Sequence, residues 1–511
     1  MKKIIALILL VVMCFTMVAC GGGQTPGGNN TGNNSGNNSG NTGNNNNTGN
    51  NKPAAQKATY NVPEGGYDGS EVTITFYHTM GQNLKNVLDR YITKFNEIYP
   101  NITIDHQQIG GYDEVRDQIN TQLSGNNQPN IAYCYPDHVA MYNVTKKVIP
   151  LDNLIDSQIV DEATGGILGL TAEQKADFIQ GYYNEGTVFD EAGTMYTMPL
   201  SKSTEALYYN KTFFNENNLK VPTTWEEMEQ VCAQIQEILK NDSNTANDEN
   251  YPLGYDSEAN WFITMCEQYG SPYTSNDKND HYLFNNKTNR EFVKMFRGWY
   301  EKGYVTTQEL YGAYTSALFT NADPSKPSCY MCIGSTGGAS HQIPTGEDNV
   351  YPFEVGVAPI PQADPENPKA ISQGPSLCIF SQVGDTDTYD NDQEVVASWL
   401  FVKFLCTTPE FQAAFSMSSG YMPVINSAKE IPAYANWLNN ANGAANLAAL
   451  VIQASFAQAD SYFVSPAFNG SSKARDQVGK LIQTCFTTPA DDVDAMILAK
   501  FKEAIDECLA Q

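Results

Sequence analysis

Polar and aromatic side chains stand at the ends of the predicted strands in the N-terminal half of the chain. Phenol, imidazole and carboxylate groups exchange hydrogen bonds with polar ligands, and aromatic rings stack on apolar ligand faces. The candidate contacts of this kind are Tyr77, His78, Tyr112 and Asp137. For His78, an ordinary turn histidine at the surface is an equally good interpretation.

An aromatic patch around Trp261 and Phe262 forms a second candidate site. One face of a pyranose ring is apolar, so an indole ring can stack on it at little cost in conformational entropy. The competing interpretation is that Trp261 is a core residue. The sequence alone leaves both open.

Hydroxyl and carboxylate groups near the middle of the chain complete the set of candidate ligand-binding residues. Ser203 and Glu205 lie in a polar gap between two extended segments, and Ser335 begins a Gly/Ser turn after an apolar strand. That turn offers backbone N–H groups to a ligand but lacks the Gly-Lys-Ser/Thr of a Walker loop. A hydrolase would need two carboxylates facing one bond, and Asp137 and Glu205 could take these roles. No motif pairs them.

Alternating strands and helices must position these residues. Apolar residues alternate over 72–76, a helical pattern follows over 84–98, and the next strand begins at Ile102. Strand–helix–strand order predicts a mainly parallel sheet, whose ligands bind at the carboxyl ends of the strands. The end of the first strand therefore lies near a predicted cleft.

The length of the chain indicates two lobes. The segment from about residue 60 to residue 511 is too long for one compact core. Pro199 removes a backbone donor, so its strand is an edge or a crossover between lobes. Thr224 and Glu227 then form a capping box at the start of a helix. A strand–loop–strand within one domain remains the alternative for this segment.

The N-terminus has the pattern of a secreted lipoprotein. Lys2 and Lys3 precede an apolar run that ends at Ala19-Cys20, which predicts a signal peptide over 1–19 and a lipid on the Cys20 sulfur. Residues 20–60 are predicted to be a disordered tether, because Asn, Gly, Thr and Ser dominate them. An ordinary signal peptide with an incidental cysteine is the alternative. The sequence thus predicts the outer face of the cell membrane as the location.

The net charge and the cysteines of the chain limit the partners and cofactors that it could bind. The net charge of −27 disfavours nucleic acid, whose phosphates would be repelled. Nine of the eleven cysteines lie beyond the predicted anchor, an odd number that does not indicate a full set of disulfides. Cys329 and Cys332 form a lone CxxC without a second pair or a nearby histidine. The sequence predicts no cofactor and no metal site.

Several short blocks, in order along the chain, resemble the extracellular solute-binding proteins of ABC importers. The resemblance is to the family that contains the maltose-binding protein, and the opening block looks closest to its glycerol-3-phosphate-binding branch. It implies an α/β fold of two lobes with three crossovers and a ligand cleft between them. The implied lobes are 70–200 plus 375–455 and 205–370 plus 456–511. The blocks are 73–142, 198–199, 206–211, 222–225, 353–361, 372–377, 418–424 and 465–475.

The resemblance also implies a function and further site residues. It implies a monomer that captures a ligand and delivers it to a permease without chemistry, with Gly374 in the second crossover and Tyr421 facing the cleft. The glycerol-3-phosphate branch would place an arginine close to Ala467, whereas the nearest is Arg475, on the following helix. We therefore predict a neutral mono- or oligosaccharide. Glycerol 3-phosphate or its diesters are the alternative, and a polysaccharide hydrolase or an adhesin are alternatives from other classes.

Overall fold

Apolar periodicity in the sequence accounts for the first elements of the fold. Ile74 and Phe76 are buried on strand β1 (Val72–His78), and Leu88 and Phe95 are buried on helix α1 (Gln82–Ile98). A computed structural model describes residues 55–510 except 242–249, 278, 322, 324–325, 346–349, 382–392 and 442–445. Residues from Ala54 onward form one compact unit.

Twelve strands are present in the described part of the chain. They are β1 Val72–His78, β2 Ile102–Gln108, β3 Ile131–Cys134, β4 Met198–Pro199, β5 Glu205–Asn210, β6 Tyr251–Tyr255, β7 Val305–Thr307, β8 Cys329–Ser335, β9 Val355–Pro359, β10 Ala370–Ile371, β11 Ser376–Ile379 and β12 Tyr462–Phe463.

Eighteen α-helices accompany these strands in the described residues. They are α1 Gln82–Ile98, α2 Tyr112–Leu123, α3 Pro136–Tyr142, α4 Asp152–Ile155, α5 Ala172–Asp177, α6 Gln180–Asn184, α7 Lys211–Glu216, α8 Trp225–Asn241, α9 Glu258–Gln268, α10 Lys287–Glu301, α11 Gln308–Tyr311, α12 Ser316–Phe319, α13 Gln393–Thr407, α14 Pro409–Met417, α15 Pro432–Asn439, α16 Leu447–Ala457, α17 Ser471–Thr487 and α18 Val493–Leu509.

The strands form two five-stranded sheets with matching topology. The first sheet has the order β2-β1-β3-β11-β4 and the second has the order β7-β6-β8-β5-β9. In each sheet the first three strands are parallel and the fourth is antiparallel to both of its neighbours. In each sheet the antiparallel strand, β11 or β5, is the first strand that the chain forms after it crosses from the other sheet. Each sheet with its helices is one lobe.

Helices cover both faces of each sheet. In the first lobe α1, α13 and α14 bury one face, and α2 and α3 bury the other. In the second lobe α8, α9, α10, α17 and α18 enclose the larger core, and α12 and α16 cover the opposite face. Burial of both faces explains why the strands read as largely apolar runs.

Three crossovers connect the lobes and are hydrogen-bonded to one another. The first crossover is 200–204, and Ser203 exchanges backbone hydrogen bonds of 2.9 and 2.8 Å with Gln373 of the second crossover, 372–375. The third crossover, 458–466, contains β12, which pairs in parallel with β10 beside the second crossover. Backbone pairing among all three crossovers places the hinge of the molecule at one defined location.

Two features of the predicted organisation can be compared with the described residues. Tyr60 is fully buried in the first core, so the predicted tether ends before residue 60. Helix α16, which the predicted bounds divide at residue 455, packs against β9 of the second sheet. The bounds of the two lobes otherwise stay a prediction.

The predicted signal peptide, the lipidated Cys20 and residues 20–54 of the tether lie outside the described residues. Within the described ranges, no helix combines the length and the apolar character needed to cross a membrane.

Candidate ligand-binding site

A pocket lies where the two lobes meet the crossovers. It encloses about 520 Å³ of empty space, including the part open to solvent. The start of α3 supplies the wall from the first lobe, α9 and the start of α17 supply the wall from the second lobe, and the second and third crossovers form the base. Its lining residues are Tyr135, Pro136, Asp137, Ile263, Tyr273, Ile371, Ser372, Gln373, Val464, Ser465, Pro466, Ser471 and Arg475.

Two charged side chains of opposite sign face this pocket. Asp137 stands in the first turn of α3, and Arg475 stands in the second turn of α17. No described carboxylate forms an ion pair with Arg475 within 4.0 Å. The pocket therefore offers an acceptor for hydroxyl groups and a guanidinium without a carboxylate partner for an anion.

A network of polar side chains holds Arg475 from behind. The Arg475 guanidinium donates to the amide oxygen of Asn260 in the first turn of α9. The Glu205 carboxylate beyond Asn260 accepts a 2.7 Å hydrogen bond from the hydroxyl of Tyr255. Burial raises the pKa of Glu205 to about 7, although Tyr255, Asn260 and the nearby Arg475 act to lower it.

A cluster of tyrosines, which we call the tyrosine cluster, lies beside the pocket and consists of Tyr112, Tyr133, Tyr135 and Tyr421. The Tyr112 ring stacks on Tyr135 with centroids 4.4 Å apart, and its hydroxyl lies 3.4 Å from that of Tyr421. Burial is the main cause that raises the pKa of each phenol. The cluster is therefore neutral near pH 7 and extends the apolar wall of the first lobe.

Two direct contacts join the lobes beside the pocket. The Tyr421 ring of the first lobe lies against Gly337 of the second, where a Cβ atom would come within 2.5 Å of the ring. The Arg116 guanidinium on α2 donates a 3.0 Å hydrogen bond to Ser472 on α17. It also lies 3.8 Å from Asp476. The lobes are thus in contact at two places near the pocket.

Several predicted site residues lie at the pocket or its hinge. Asp137 lines the pocket, and Tyr112 and Tyr421 lie next to it in the tyrosine cluster. Ser203 and Gly374 belong to the paired crossovers, where Gly374 has a φ of +96° and has the Ser201 carbonyl 2.6 Å from the position of a Cβ. Only glycine fits such a backbone without strain. Their role in binding a ligand stays a prediction.

Glu205 and Ser335 lie behind the pocket rather than on its wall. Glu205 is buried at the start of β5 and reaches the pocket only through Asn260. The Ser335 hydroxyl donates to that of Ser203 at 3.5 Å and accepts from the Gly337 amide. Because Glu205 does not line the pocket with Asp137, the two carboxylates do not face one bond as a glycosidase would require.

The expectation that Trp261 and Phe262 form a sugar-stacking patch is wrong for this structure. Both side chains are fully buried. The Trp261 ring stacks on Tyr255 with centroids 4.7 Å apart and packs against Phe296 at 3.7 Å. A helix that carries apolar residues on all sides is packed on all sides, so α9 leaves no aromatic face for a ligand.

The prediction that Tyr77 and His78 contact a ligand at the cleft is also wrong for this structure. Tyr77 is buried in the core under α2, where its hydroxyl accepts a 3.3 Å hydrogen bond from Gln122. His78 is fully buried and pairs with His106 at 2.9 Å, and desolvation lowers its pKa to about 3. They are the last two residues of β1, whose neighbours on both faces are helices, so neither side chain reaches the pocket.

Sequence reasoning missed Arg475, Tyr135 and Gln373 as pocket residues. Arg475 was not predicted as a ligand contact because it lies eight positions beyond Ala467, but the first two turns of α17 face the cleft. The position of Tyr135 at the end of β3 was an available signal, since strand ends at this sheet edge approach the cleft. Gln373 could only be found from the pairing of the crossovers.

Fold and pocket together are those of a two-lobed protein with a pocket between its lobes, beside the crossovers. A family model for the bacterial extracellular solute-binding proteins matches residues 90–487. The chain belongs to this family, whose members serve ABC importers.

Known relatives agree with this assignment. The sn-glycerol-3-phosphate-binding periplasmic protein UgpB of Salmonella typhimurium is 24% identical over 378 residues, which cover 70% of this chain and 76% of the relative. Among solved structures, UgpB from Mycobacterium tuberculosis in complex with glycerophosphocholine superposes with a TM-score of 0.65 at 17% identity, covering 86% of this chain and 99% of that one. The sugar-binding protein MalE from Xanthomonas citri gives a TM-score of 0.62 at 19% identity, covering 86% and 98%. The structural likeness establishes the two-lobed fold.

Proposed function

We propose that this protein captures glycerol 3-phosphate or one of its diesters outside the cell and delivers it to the permease of an ABC importer. The observation that carries the proposal is the Arg475 guanidinium, which lines the interlobe pocket without a carboxylate partner among the described residues. A guanidinium that faces a cleft without a carboxylate partner is suited to phosphate, because its planar fork matches two phosphate oxygens. This replaces the predicted neutral ligand, whose premise was the lack of such an arginine.

The remaining groups in the pocket suit the glycerol part of this ligand. Asp137 accepts hydrogen bonds from vicinal hydroxyls, and Ser465 lies at the base of the same pocket. Ser471 begins α17, and the positive end of a helix dipole next to Arg475 adds to the attraction for an anion. The relatives named for glycerol 3-phosphate support the same choice.

A neutral saccharide is the second candidate. Tyr135 and Tyr273 both line the pocket and offer aromatic surface to the apolar faces of a sugar ring. Asp137 would accept from sugar hydroxyls as it would from glycerol. In this case Arg475 would act as a hydrogen-bond donor to neutral oxygen atoms, at a smaller gain in free energy.

Isothermal titration calorimetry with glycerol 3-phosphate, glycerophosphocholine and maltose separates the two candidates. We expect both phosphate compounds to bind, and Arg475→Gln to weaken their binding by about 10- to 100-fold, since charge-assisted hydrogen bonds are lost. The matched control is Arg290→Gln, a partly buried arginine of the same lobe that bonds Asn285. Tight binding of maltose that Arg475→Gln leaves unchanged would contradict the phosphate proposal and support the saccharide.

A further inference from the structure

We propose that Glu205 is a positioning residue that acts through Asn260 on Arg475, and that uptake of an anionic ligand is thereby coupled to protonation of the Glu205 carboxylate. The inference rests on the proposed function, because it takes Arg475 as the group that meets the anion. It goes beyond that function by assigning a role to a buried acid that does not line the pocket.

The geometry of the network carries the first half of this inference. Asn260 is buried between a cation and an anion: its oxygen accepts from Arg475, and its side chain lies beside the Glu205 carboxylate, whose pKa it lowers. A carboxamide has one acceptor end and one donor end, so these two neighbours leave it a single orientation. Glu205 therefore fixes Asn260, and Asn260 holds the guanidinium at the pocket wall.

Secondary structure makes this arrangement rigid. Glu205 is the first residue of β5, and the register of β5 with β8 places it opposite Ser335. Tyr255 is the last residue of β6, and its ring is held between strand and helix by stacking on Trp261. Each member thus stands on a strand or helix of the second lobe, where binding groups are held more accurately than on loops.

The second part of the inference, that ligand binding is coupled to protonation of Glu205, rests on electrostatics. The groups that face the Glu205 carboxyl are Tyr255 from β6, Asp256 beyond it, Asn260 from α9 and Arg475 from α17. Burial and the Asp256 carboxylate raise the pKa of Glu205, and the other three lower it, with a result of about 7. An anion at Arg475 brings further negative charge toward the carboxylate, which raises its pKa in the complex.

The direction of the pH dependence follows from linkage. A group whose pKa is higher in the complex than in the free protein takes up a proton on binding. Its contribution to affinity is complete below the pKa of the free protein, about 7, and is lost as the pH rises through the higher pKa of the complex. Affinity for a ligand of constant charge should therefore fall above about pH 7.

Calorimetric titration with glycerophosphocholine between about pH 6 and about pH 9 tests this coupling, because a phosphodiester has no second ionisation in that range, unlike a monoester near about pH 6. We expect the dissociation constant of the native protein to rise by up to about tenfold across this range, as for a pKa shift of about one unit. Glu205→Gln keeps the hydrogen-bonding shape but cannot ionise, so its dissociation constant should not change with pH.

Two further variants keep the test decisive. Tyr255→Phe removes the hydrogen bond that lowers the pKa of Glu205 while it keeps the ring, so the midpoint of the pH dependence should move to higher pH. Glu258→Gln is the matched control: Glu258 is also a buried acid with a pKa raised by burial, but it bonds the Glu309 amide away from the pocket. It should keep the native pH dependence.

The outcomes distinguish this inference from the proposed function. If the native protein does not bind glycerophosphocholine or glycerol 3-phosphate at any pH, the proposed function fails and this inference fails with it. If it binds and Glu205→Gln keeps the native slope, only the inference is overturned. If Glu205→Gln does not fold, an unchanged midpoint in Tyr255→Phe overturns the inference and a shifted midpoint supports it.

Discussion

At the scale of single residues, the pocket is distinguished by one acid and one base that do not neutralise each other. No ion pair within 4.0 Å joins Asp137 to Arg475, although both line the same space. An ion pair between them would have to be broken before a ligand could use either group, at a cost in binding free energy. Their separation on α3 and α17, in different lobes, keeps both available to one ligand with hydroxyls at one end and negative charge at the other.

Trp261 gives a prediction about stability rather than binding. We expect Trp261→Ala to lower the free energy of unfolding by about 3–5 kcal/mol, because it opens a cavity among the rings that pack on both faces of the indole. Denaturant unfolding of the ligand-free protein measures this change. Tyr351→Ala, at an exposed aromatic, is the control and should cost less than about 1 kcal/mol. A Trp261→Ala protein of native stability that binds its ligand poorly would restore the stacking role.

At the scale of elements, the first crossover is held by a buried ion pair. Lys202 and Glu185 are both buried with Nζ and Oε1 2.5 Å apart. The same ammonium donates to Ser376 at 3.1 Å and to the Gly374 carbonyl at 3.4 Å. Lys202 therefore ties the first crossover to the second at the hinge.

A double-substitution experiment tests this tie. Lys202→Met alone leaves the Glu185 carboxylate buried without its cation and should cost about 3–5 kcal/mol of unfolding free energy. Lys202→Met combined with Glu185→Met should restore most of that loss, since no unpaired charge remains. The control is the exposed pair Lys211–Glu354, with the same 2.5 Å separation, whose disruption should cost at most about 1 kcal/mol. Equal losses for the single and double substitutions would contradict this account.

Helices α2 and α17 meet across the cleft through Arg116, which gives a prediction about affinity. Arg116→Gln should weaken ligand binding by about two- to fivefold, because the interlobe contacts with Ser472 and Asp476 stabilise only the arrangement in which the lobes touch. Calorimetry at low and high salt measures the effect, which should shrink as salt screens the ion pair.

The comparison for Arg116 is Arg90→Gln on α1, an exposed arginine of the same lobe and the same charge. It should bind as the native protein does. If both variants weaken binding equally, the effect reflects net charge rather than the contact between α2 and α17.

At the scale of the whole molecule, the remaining prediction concerns attachment. Cys20 follows Ala19 at the end of the apolar run and precedes a stretch, 21–51, that has no charged residue, all outside the described residues. If the predicted tether is disordered, its length of about 40 residues would span roughly 35 Å on average, enough to let an anchored binding protein reach a permease in the same membrane. Cys20→Ser should release the protein from the membrane fraction into the medium, as immunoblotting of the two fractions would show.

A companion measurement is the ligand affinity of the fragment that is released when the protein is cleaved within the tether. The released fragment should keep its affinity for ligand, because the compact unit begins at Ala54. Full retention of Cys20→Ser in the membrane fraction would contradict lipid attachment through this residue.

The sequence by itself determined the class of fold and the order of its parts. Alternating residues before Tyr77, the helical pattern that ends before Pro100 and the proline just before the first crossover are local signals. Each depends on neighbours within about ten residues, so periodicity reveals it without knowledge of the rest of the chain. The ordered blocks shared with solute-binding proteins added the crossovers and the cleft.

Only the tertiary structure decided which residues line the pocket. An apolar or aromatic residue must be covered, but the sequence does not say whether protein or ligand covers it; Trp261 is covered by Tyr255 and Phe296. Arg475 lies more than 330 residues from Asp137 in the chain, and their meeting depends on how α17 returns over the third crossover. Contacts at such separation arise from the packing of whole elements, which no local pattern encodes.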